Sequence, residues 1–374
     1  VAEEALFKIH RSQLLPALSA VFEAVDRRGT IPILGNVLLR PIGSELRLRG
    51  TDLTIEVETS CDLLEEAAPT SGITVSGEAL REIVKNLPES AEVSFLAADH
   101  SGQVKIQAGR SRFTLLTLPQ RDFPSISDSA DGEALTIEIA PFIDALTKVL
   151  YAIKDDQNRP YLAGAFLIAD GNNMSVVGCD GHNLAVVRLS SDEPAKFPGV
   201  ITPFKTVKAI KKLFGESKGR VELVISDVMI KMTCGNVTIF SKLVDGTYPD
   251  YVRVIPTRND KQTVCSVSAL RSAVSRVCLV ANDLEKDTVR LSVEPGTMRV
   301  IVKTTEGEAA DEDIAIEYDG DPLEIGFNGR YLMALLGSIS TQDVKILLSD
   351  NGTAGLFQPT IDSDEQFVLM PKRW

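Results

Sequence analysis

Residues 141–153, PFIDALTKVLYAI, carry apolar side chains at helical spacing, and residues 164–184, GAFLIADGNNMSVVGCDGHNL, then alternate apolar and polar around a turn. The first period is that of one helix face, the second that of half-buried strands. The same order occurs twice more. Residues 12–25, SQLLPALSAVFEAV, precede GNVLLRPIGSELRLRGTDL, which starts at Gly35. Residues 268–282, SALRSAVSRVCLVAN, precede DTVRLSVEPGTMRVIVKTTEG, which starts at Asp287. The first two copies align with an offset of 128–129, which sets Asp52 on Asp180. A period near one third of the 374 residues points to triplication.

A second helical stretch recurs in each third: GEALREIVKNLP from Gly77, PFKTVKAIKKLFG from Pro203 and FNGRYLMALLGSI from Phe327. Alternating strands follow each. Copies one and two close alike, with Asp122-Phe123-Pro124 against Thr247-Tyr248-Pro249. The third copy lacks the element Thr51-Asp52 or Cys179-Asp180. The expected fold class is α+β. Three similar domains span 1–127, 128–256 and 257–374, each with two helices and about eight strands. Linkers are expected near 125–135, polar and rich in Gly and Ser, and near 253–263, with Pro and charges.

Composition narrows the function. With 44% hydrophobic and 24% charged residues the chain is a soluble globular type, and no run approaches the ~18 apolar residues of a membrane span. The opening VAEEALFKIH has acids where a secretory leader has bases, so no leader is expected. Cys61, Cys179, Cys234, Cys265 and Cys278 form no C-x-x-C pair, which reads as reduced thiols and a cytoplasmic protein. A net charge of −13 argues against an open basic groove for nucleic acid.

That charge is unevenly distributed. The six expected helices, 12–28, 76–88, 140–154, 201–214, 266–282 and 327–339, hold 13 Lys and Arg against 5 acids, a net of +8. The rest of the chain carries −21. At about 100° per residue, Lys205, Lys208, Lys211 and Lys212 fall within about 120° of arc, with Val207, Ile210, Leu213 and Phe214 opposite. Basic helices facing one region and acidic surface elsewhere suit a protein that surrounds a polyanion. Attraction to few phosphates is weak, salt-sensitive and independent of sequence, which suits sliding rather than gripping.

No catalytic constellation is legible. His10, His100 and His182 are far apart, and no H-E-x-x-H, G-x-S-x-G, Walker A or G-x-G-x-x-G motif occurs. Cys179 and His182 have half of a metal-site spacing without a second pair, so no metal or cofactor is expected. Asp180-Gly181-His182 reads as a tight turn rather than an acid–base pair, and no nucleophile–base–orienter set assembles.

Several strings together resemble the bacterial DNA polymerase III β subunit family, the replicative sliding clamps. In the first third they are Thr30-Ile31-Pro32-Ile33-Leu34-Gly35-Asn36, Gly50-Thr51-Asp52-Leu53, Gly109-Arg110-Ser111-Arg112-Phe113 and Asp122-Phe123-Pro124. In the second they are Tyr161-Leu162-x-Gly164, Asp180-Gly181-His182-x-Leu184-Ala185-Val186 and SKLVDGTYPDY over 241–251. In the third they are Ile325-Gly326-Phe327-Asn328 and Met370-Pro371-x-Arg373. The resemblance implies a head-to-tail homodimeric ring around duplex DNA, with helices inside and sheets outside. It implies a non-catalytic processivity factor whose partners are double-stranded DNA, the polymerase III alpha subunit, the clamp loader, and other polymerases and repair proteins with clamp-binding motifs.

The resemblance also implies sites. A partner's apolar peptide would enter a pocket between the second and third domains, at Leu162, Cys179, Gly181, His182, Leu184, Pro249, Val254, Val368, Met370, Pro371 and Arg373. Each buried Leu or Phe anchor is worth roughly 1.5–3 kcal/mol there. Arg28 and Tyr161 match positions near the duplex, and the charge pattern adds Lys205, Lys208 and Lys212. The ring interface would set Arg110, Phe113 and Leu115 against Leu279 and Val280. The chain departs from the family pattern at Cys179, Asn183, Lys372 and Trp374, and at Gly352 and Ala354 in the pocket wall. Two other readings stand beside the clamp: an enzyme, which a clefted titratable cluster would favour, and a monomeric peptide adaptor, which a polar residue at 279–280 would have favoured.

Overall fold

The computed structural model describes residues 5–67, 71–98, 102–126, 132–156, 158–281, 288–361 and 364–373. His100, residues 127–131 of the first expected linker, Asn282, Asp287 and Trp374 lie outside the described residues.

The three copies are visible as three rounds of the same elements. In the first, β1 (Ala5–His10) enters α1 (Arg11–Val21). Next, β2 (Asn36–Ile42), β3 (Glu45–Thr51), β4 (Ile55–Asp62) and β5 (Ile73–Ser76) lead to α2 (Gly77–Lys85). The round closes with β6 (Glu92–Ala97), β7 (Gln103–Ala108) and β8 (Ser111–Leu118). The second has β9 (Glu133–Glu138), α3 (Ile139–Val149), β10 (Gly164–Cys179), β11 (Asn183–Pro203), α4 (Phe204–Phe214), β12 (Arg220–Ile225), β13 (Met229–Cys234) and β14 (Val237–Lys242). The third begins with β15 (Lys261–Ser266), α5 (Val267–Val277), β16 (Thr288–Glu294), β17 (Thr297–Lys303), β18 (Ala309–Ala315) and β19 (Leu323–Asn328). It ends with α6 (Gly329–Leu336), β20 (Asp343–Leu348), β21 (Gly355–Pro359) and β22 (Glu365–Leu369).

Helices α1, α3 and α5 begin at residues 11, 139 and 267, a spacing of 128 both times. Each runs into a 3-10 turn, Phe22–Ala24, Leu150–Ala152 and Cys278–Val280, so the α-helices are shorter than the expected windows. The turn residues keep the chain compact while i→i+3 bonds replace the α pattern. Pro16 sits at the middle of α1, where it removes one interior i→i−4 hydrogen bond. Ser76, Ser266 and Asn328 cap α2, α5 and α6 by accepting from the Ala79, Ala269 and Tyr331 N–H groups. The middle round has six strands rather than eight. There β10 and β11 continue through register shifts where the other rounds break into two strands.

Packing divides the chain into two units, Val1–Ile139 with Lys208–Leu243 and Ala140–Val207 with Val244–Trp374. The first holds a twelve-stranded sheet, β1-β6-β7-β8-β5-β2-β3-β4-β14-β13-β12-β9. Its core includes Phe7 stacked on Phe95 at 4.4 Å. The second holds a six-stranded sheet, β10-β11-β22-β21-β20-β15, and a four-stranded one, β18-β17-β16-β19. One close approach recurs in both. A Cβ on Gly50 would overlap the Val21 carbonyl oxygen, and one on Gly178, 128 residues on, would overlap the Val149 carbonyl oxygen. Only glycine lets the helix end lie that close to the strand.

The same register links successive copies. Strand β4 pairs with β14 so that Ile55 faces Ser241, and β11 pairs with β22 so that Asn183 faces Leu369. Both members shift by 128. Among the described residues the third such pairing has no mate. Among them strand β18 pairs only with β17, and β8, beyond its β7 neighbour, pairs with β5 only at Thr117 and Leu118.

Candidate functional site

The turn Asp180–Asn183 anchors one end of the site. The Asp180 carboxylate accepts from the His182 N–H at 2.9 Å and the Asn183 N–H at 2.7 Å, and from the Asn183 amide. Gly181 has φ +90°, a left-handed conformation that glycine adopts without strain. Asp52 does the same work 128 residues earlier, accepting from Thr54 and Ile55, with Leu53 at φ +73° in the glycine's place. Two copies of one turn explain Asp180 without acid–base chemistry. Beyond it, the His182 carbonyl accepts from the Met370 N–H at 2.9 Å, so the turn is tied to the end of β22.

An apolar cluster fills the sheet surface beside this turn. Leu162, Leu184 and Val368 lie in it with Val177, Val186, Ile201, Tyr248, Ala354 and Leu356, and Cys179 packs against it. Burial pushes the Cys179 thiol up, so it stays a thiol and a packing group. Phe166 stacks on Tyr248 at 4.5 Å. Beside Tyr251 and Ile255, which pack against the cluster, Val252 is 58% and Val254 43% exposed, and Met370, just after β22, is 42% exposed. His182, Gly181 and Pro249 are also exposed, Pro371 is half-buried and Arg373 is exposed.

Behind the turn, Lys154 donates to the Tyr331 hydroxyl at 2.6 Å and lies 3.6 Å from Asp180, while the His182 and Tyr331 rings stack at 5.6 Å. The hydroxyls of Tyr151 and Tyr248 are buried, and burial pushes both phenols up. Among the described residues no three His, Cys, Asp or Glu side chains gather as metal ligands.

Known proteins align with the whole chain. Models of the N-terminal, central and C-terminal domains of the DNA polymerase III beta subunit match residues 5–127, 136–250 and 252–373. The chain belongs to the DNA polymerase III beta subunit family, the sliding clamps. The beta sliding clamp of Pseudomonas putida is 36% identical over 98% of this chain and 99% of its own length. That of Caulobacter vibrioides is 35% identical over the same shares. A crystal structure of the Pseudomonas aeruginosa sliding clamp bound to griselimycin superposes with a TM-score of 0.94 at 36% identity, covering 98% of this chain and 99% of that one. As a sliding clamp this protein is a processivity factor of DNA replication.

The remaining clamp residues read from the sequence fall as follows. Lys205, Lys208, Lys211 and Lys212 form an exposed face of α4, opposite buried Val207, Ile210 and Phe214. Lys212 pairs with Glu23 at 2.5 Å. Arg28 is exposed, and its backbone N–H donates to Asp26. Tyr161 is half-buried and packs against the apolar cluster. Lys148 departs from the basic-helix reading: it is 6% exposed and sits between Asp144 at 2.7 Å and Glu365 at 2.8 Å. Arg110, in the turn just before β8, is exposed; on β8, Phe113 and Leu115 are half-buried and Leu116 is 75% exposed. Leu279 is 82% exposed and Val280 half-buried, both in the 3-10 turn rather than on the α-helix expected over 266–282. The sequence reading missed Val177, Val186, Ile201, Tyr248 and Leu356 in the cluster and Leu116 on the edge. Alternation along β10 and β11 carried a signal for Val177 and Val186. The others depend on register, which no local pattern shows.

Proposed function

We propose that two chains close head to tail into a ring that encircles duplex DNA and slides on it, without catalysis, in the cytoplasm. The single observation that carries the ring is the repeated register. Each copy offers a strand, β4 or β11, to the last strand of the next, β14 or β22. The third copy's β18 then needs the β8 of another chain. Carrying the register over hairpin by hairpin sets Phe113 opposite Ala310 of the second chain, Arg112 opposite Asp311 and Arg110 opposite Asp313. Opposite charges directly across a strand pair are favourable, and a C2 ring makes the contact twice.

Partners of the clamp, the polymerase III alpha subunit and the clamp loader among them, insert an apolar peptide at the cluster of Leu162, Leu184 and Val368. Cys179, Gly181, His182, Pro249, Val254, Met370, Pro371 and Arg373 form its surround. Exposed apolar side chains close in sequence to the buried cluster support this reading. A charge at Met370 opposes an apolar ligand without disturbing the core. Met370→Glu is expected to weaken an apolar partner peptide at least tenfold, measured by fluorescence anisotropy, with an unchanged circular dichroism spectrum. The lysines Lys205, Lys208 and Lys212, with Arg28 and Tyr161, face the duplex in this reading.

Topology gives the decisive test. The protein is loaded onto nicked circular DNA with a clamp loader, the complex is isolated, and the circle is cut once. Release on cutting is the expected result. Retention on the linear product would mean binding by contact and would overturn the ring.

A further inference from the structure

The surface made by β2, β3, β4 and β14 in the first unit is the repeat counterpart of the surface that carries the apolar cluster. A shift of 128 takes Leu38 to Phe166, Arg49 to Val177, Glu56 to Leu184 and Glu58 to Val186, and Phe123-Pro124 stands for Tyr248-Pro249. The fold is kept and the chemistry is changed. A cavity of about 380 Å³ opens at this place, with Leu38, Leu48 and Phe123 as its apolar lining. That volume is in the range of ligand-binding clefts.

The polar lining is uneven in charge. Arg49 is held between Glu58 and the fully buried Glu56, at 3.4 Å; Glu56 lies outside the cavity lining, where Arg49 and Glu58 balance one to one. Glu56 is also fixed from the other side by the Ile126 N–H at 2.9 Å. Arg40 has no ion-pair partner among the described residues, and Arg47 has only Glu45 at 3.9 Å. Gln120 accepts from the Gly72 N–H through its oxygen, which leaves its NH2 as a donor in the lining. Two guanidiniums and an amide donor thus face one loosely held carboxylate, Glu45, beside an aromatic wall. Guanidiniums pair with carboxylates through two parallel N–H···O bonds.

We propose that this cavity is a second peptide site, for a partner segment that joins acidic side chains to a leucine or an aromatic. The class of ligand rests on the reading of the second-unit surface as a peptide site. The charge preference rests on Arg40 and Arg47 alone. The two surfaces would let one clamp hold two segments of different character.

The test uses the full-length protein and two fluorescein-labelled hexapeptides, acidic Glu-Asp-Leu-Phe-Glu-Asp and neutral Gln-Asn-Leu-Phe-Gln-Asn. Titrations are followed by anisotropy in the Met370→Glu background, which sets a charge at the other site. The acidic peptide is expected to bind there, and adding Arg40→Glu and Arg47→Glu, both on the surface, is expected to weaken it at least tenfold. The neutral peptide is expected to bind the unaltered protein and to respond to Met370→Glu but not to the arginine changes. The proposal is overturned if the acidic peptide fails to bind, if the arginine changes leave it within twofold, or if a short DNA duplex displaces it with the same dependence on Arg40 and Arg47. A neutral peptide indifferent to Met370→Glu would instead overturn the reading of the second-unit surface, and would leave the acidic result standing.

Discussion

Leu279→Glu is expected to give a soluble, folded monomer. The argument lies in one position seen three times. Residues 23, 151 and 279 occupy the same place, 128 apart, in the 3-10 turn after the first helix of each copy. In the first copy Glu23 has a side-chain exposure of 14% and is met by Lys212 of the second. In the second, the Tyr151 hydroxyl is buried and its ring lies 6.4 Å from Phe367 of the third. In the third, Leu279 is 82% exposed. Burying a leucine is worth about 1.5–3 kcal/mol, and a glutamate in its place would be an unpaired charge against apolar side chains. Each interface then loses at least ~3 kcal/mol, roughly two decades in affinity, and a ring has two interfaces. Sedimentation over a concentration series reads the change. The circular dichroism spectrum should not move, because so exposed a side chain carries little of the chain's own packing. A variant still dimeric at nanomolar concentration would sink both the placement of Leu279 and the register proposed for β8 and β18.

The repeat was legible because local patterns carry it. Apolar spacing located all six helices, and the 128-residue offset of Asp52 and Asp180 proved to be the offset of whole elements. Helix ends were less legible, because apolar spacing over 266–282 cannot show that i→i+3 bonds take over at Cys278. The candidate site was legible where the signal was a string, as at Asp180–Leu184 and Met370-Pro371-x-Arg373. It was not legible where residues meet only through register. Ile201, Tyr248 and Leu356 join the cluster from separate strands and turns, and their alternation alone assigns them to a core. The charge count erred for the same reason at Lys148. Its partner Glu365 lies 217 residues away, so nothing local distinguishes this lysine from the exposed ones on α4.

That buried lysine yields the second large effect. Lys148 on α3 reaches Glu365 at the start of β22, the strand that also carries Val368 and leads to Met370. Its side chain is 8% exposed and that of Glu365 13%, whereas Asp144, the third member, is 57% exposed and partly screened by water. Burial pushes the Lys148 amine down. The hydrogen bonds and charges of Asp144 and Glu365 more than offset this and hold it above the ordinary lysine value. A raised lysine stabilises the fold fully below its unfolded value and loses that contribution only as pH rises through the folded one. The lysine's contribution is therefore complete at neutral pH and is lost as the amine deprotonates in strong alkali. Removing one partner strands the other. Lys148→Met leaves the Glu365 carboxylate buried and uncompensated, with an expected loss of about 3 kcal/mol. At ~2–4 °C per kcal/mol for a domain of this size, the melting temperature should fall by roughly 6–12 °C. The double variant Lys148→Met with Glu365→Leu replaces the pair by apolar groups and should recover most of the loss, since such exchanges are often neutral. Thermal denaturation of the two variants and the parent at neutral pH decides it. A single variant that melts within 1 °C of the parent would show that α3 and β22 are held by packing alone. A double variant as unstable as the single would show that the charge left behind was not the cause.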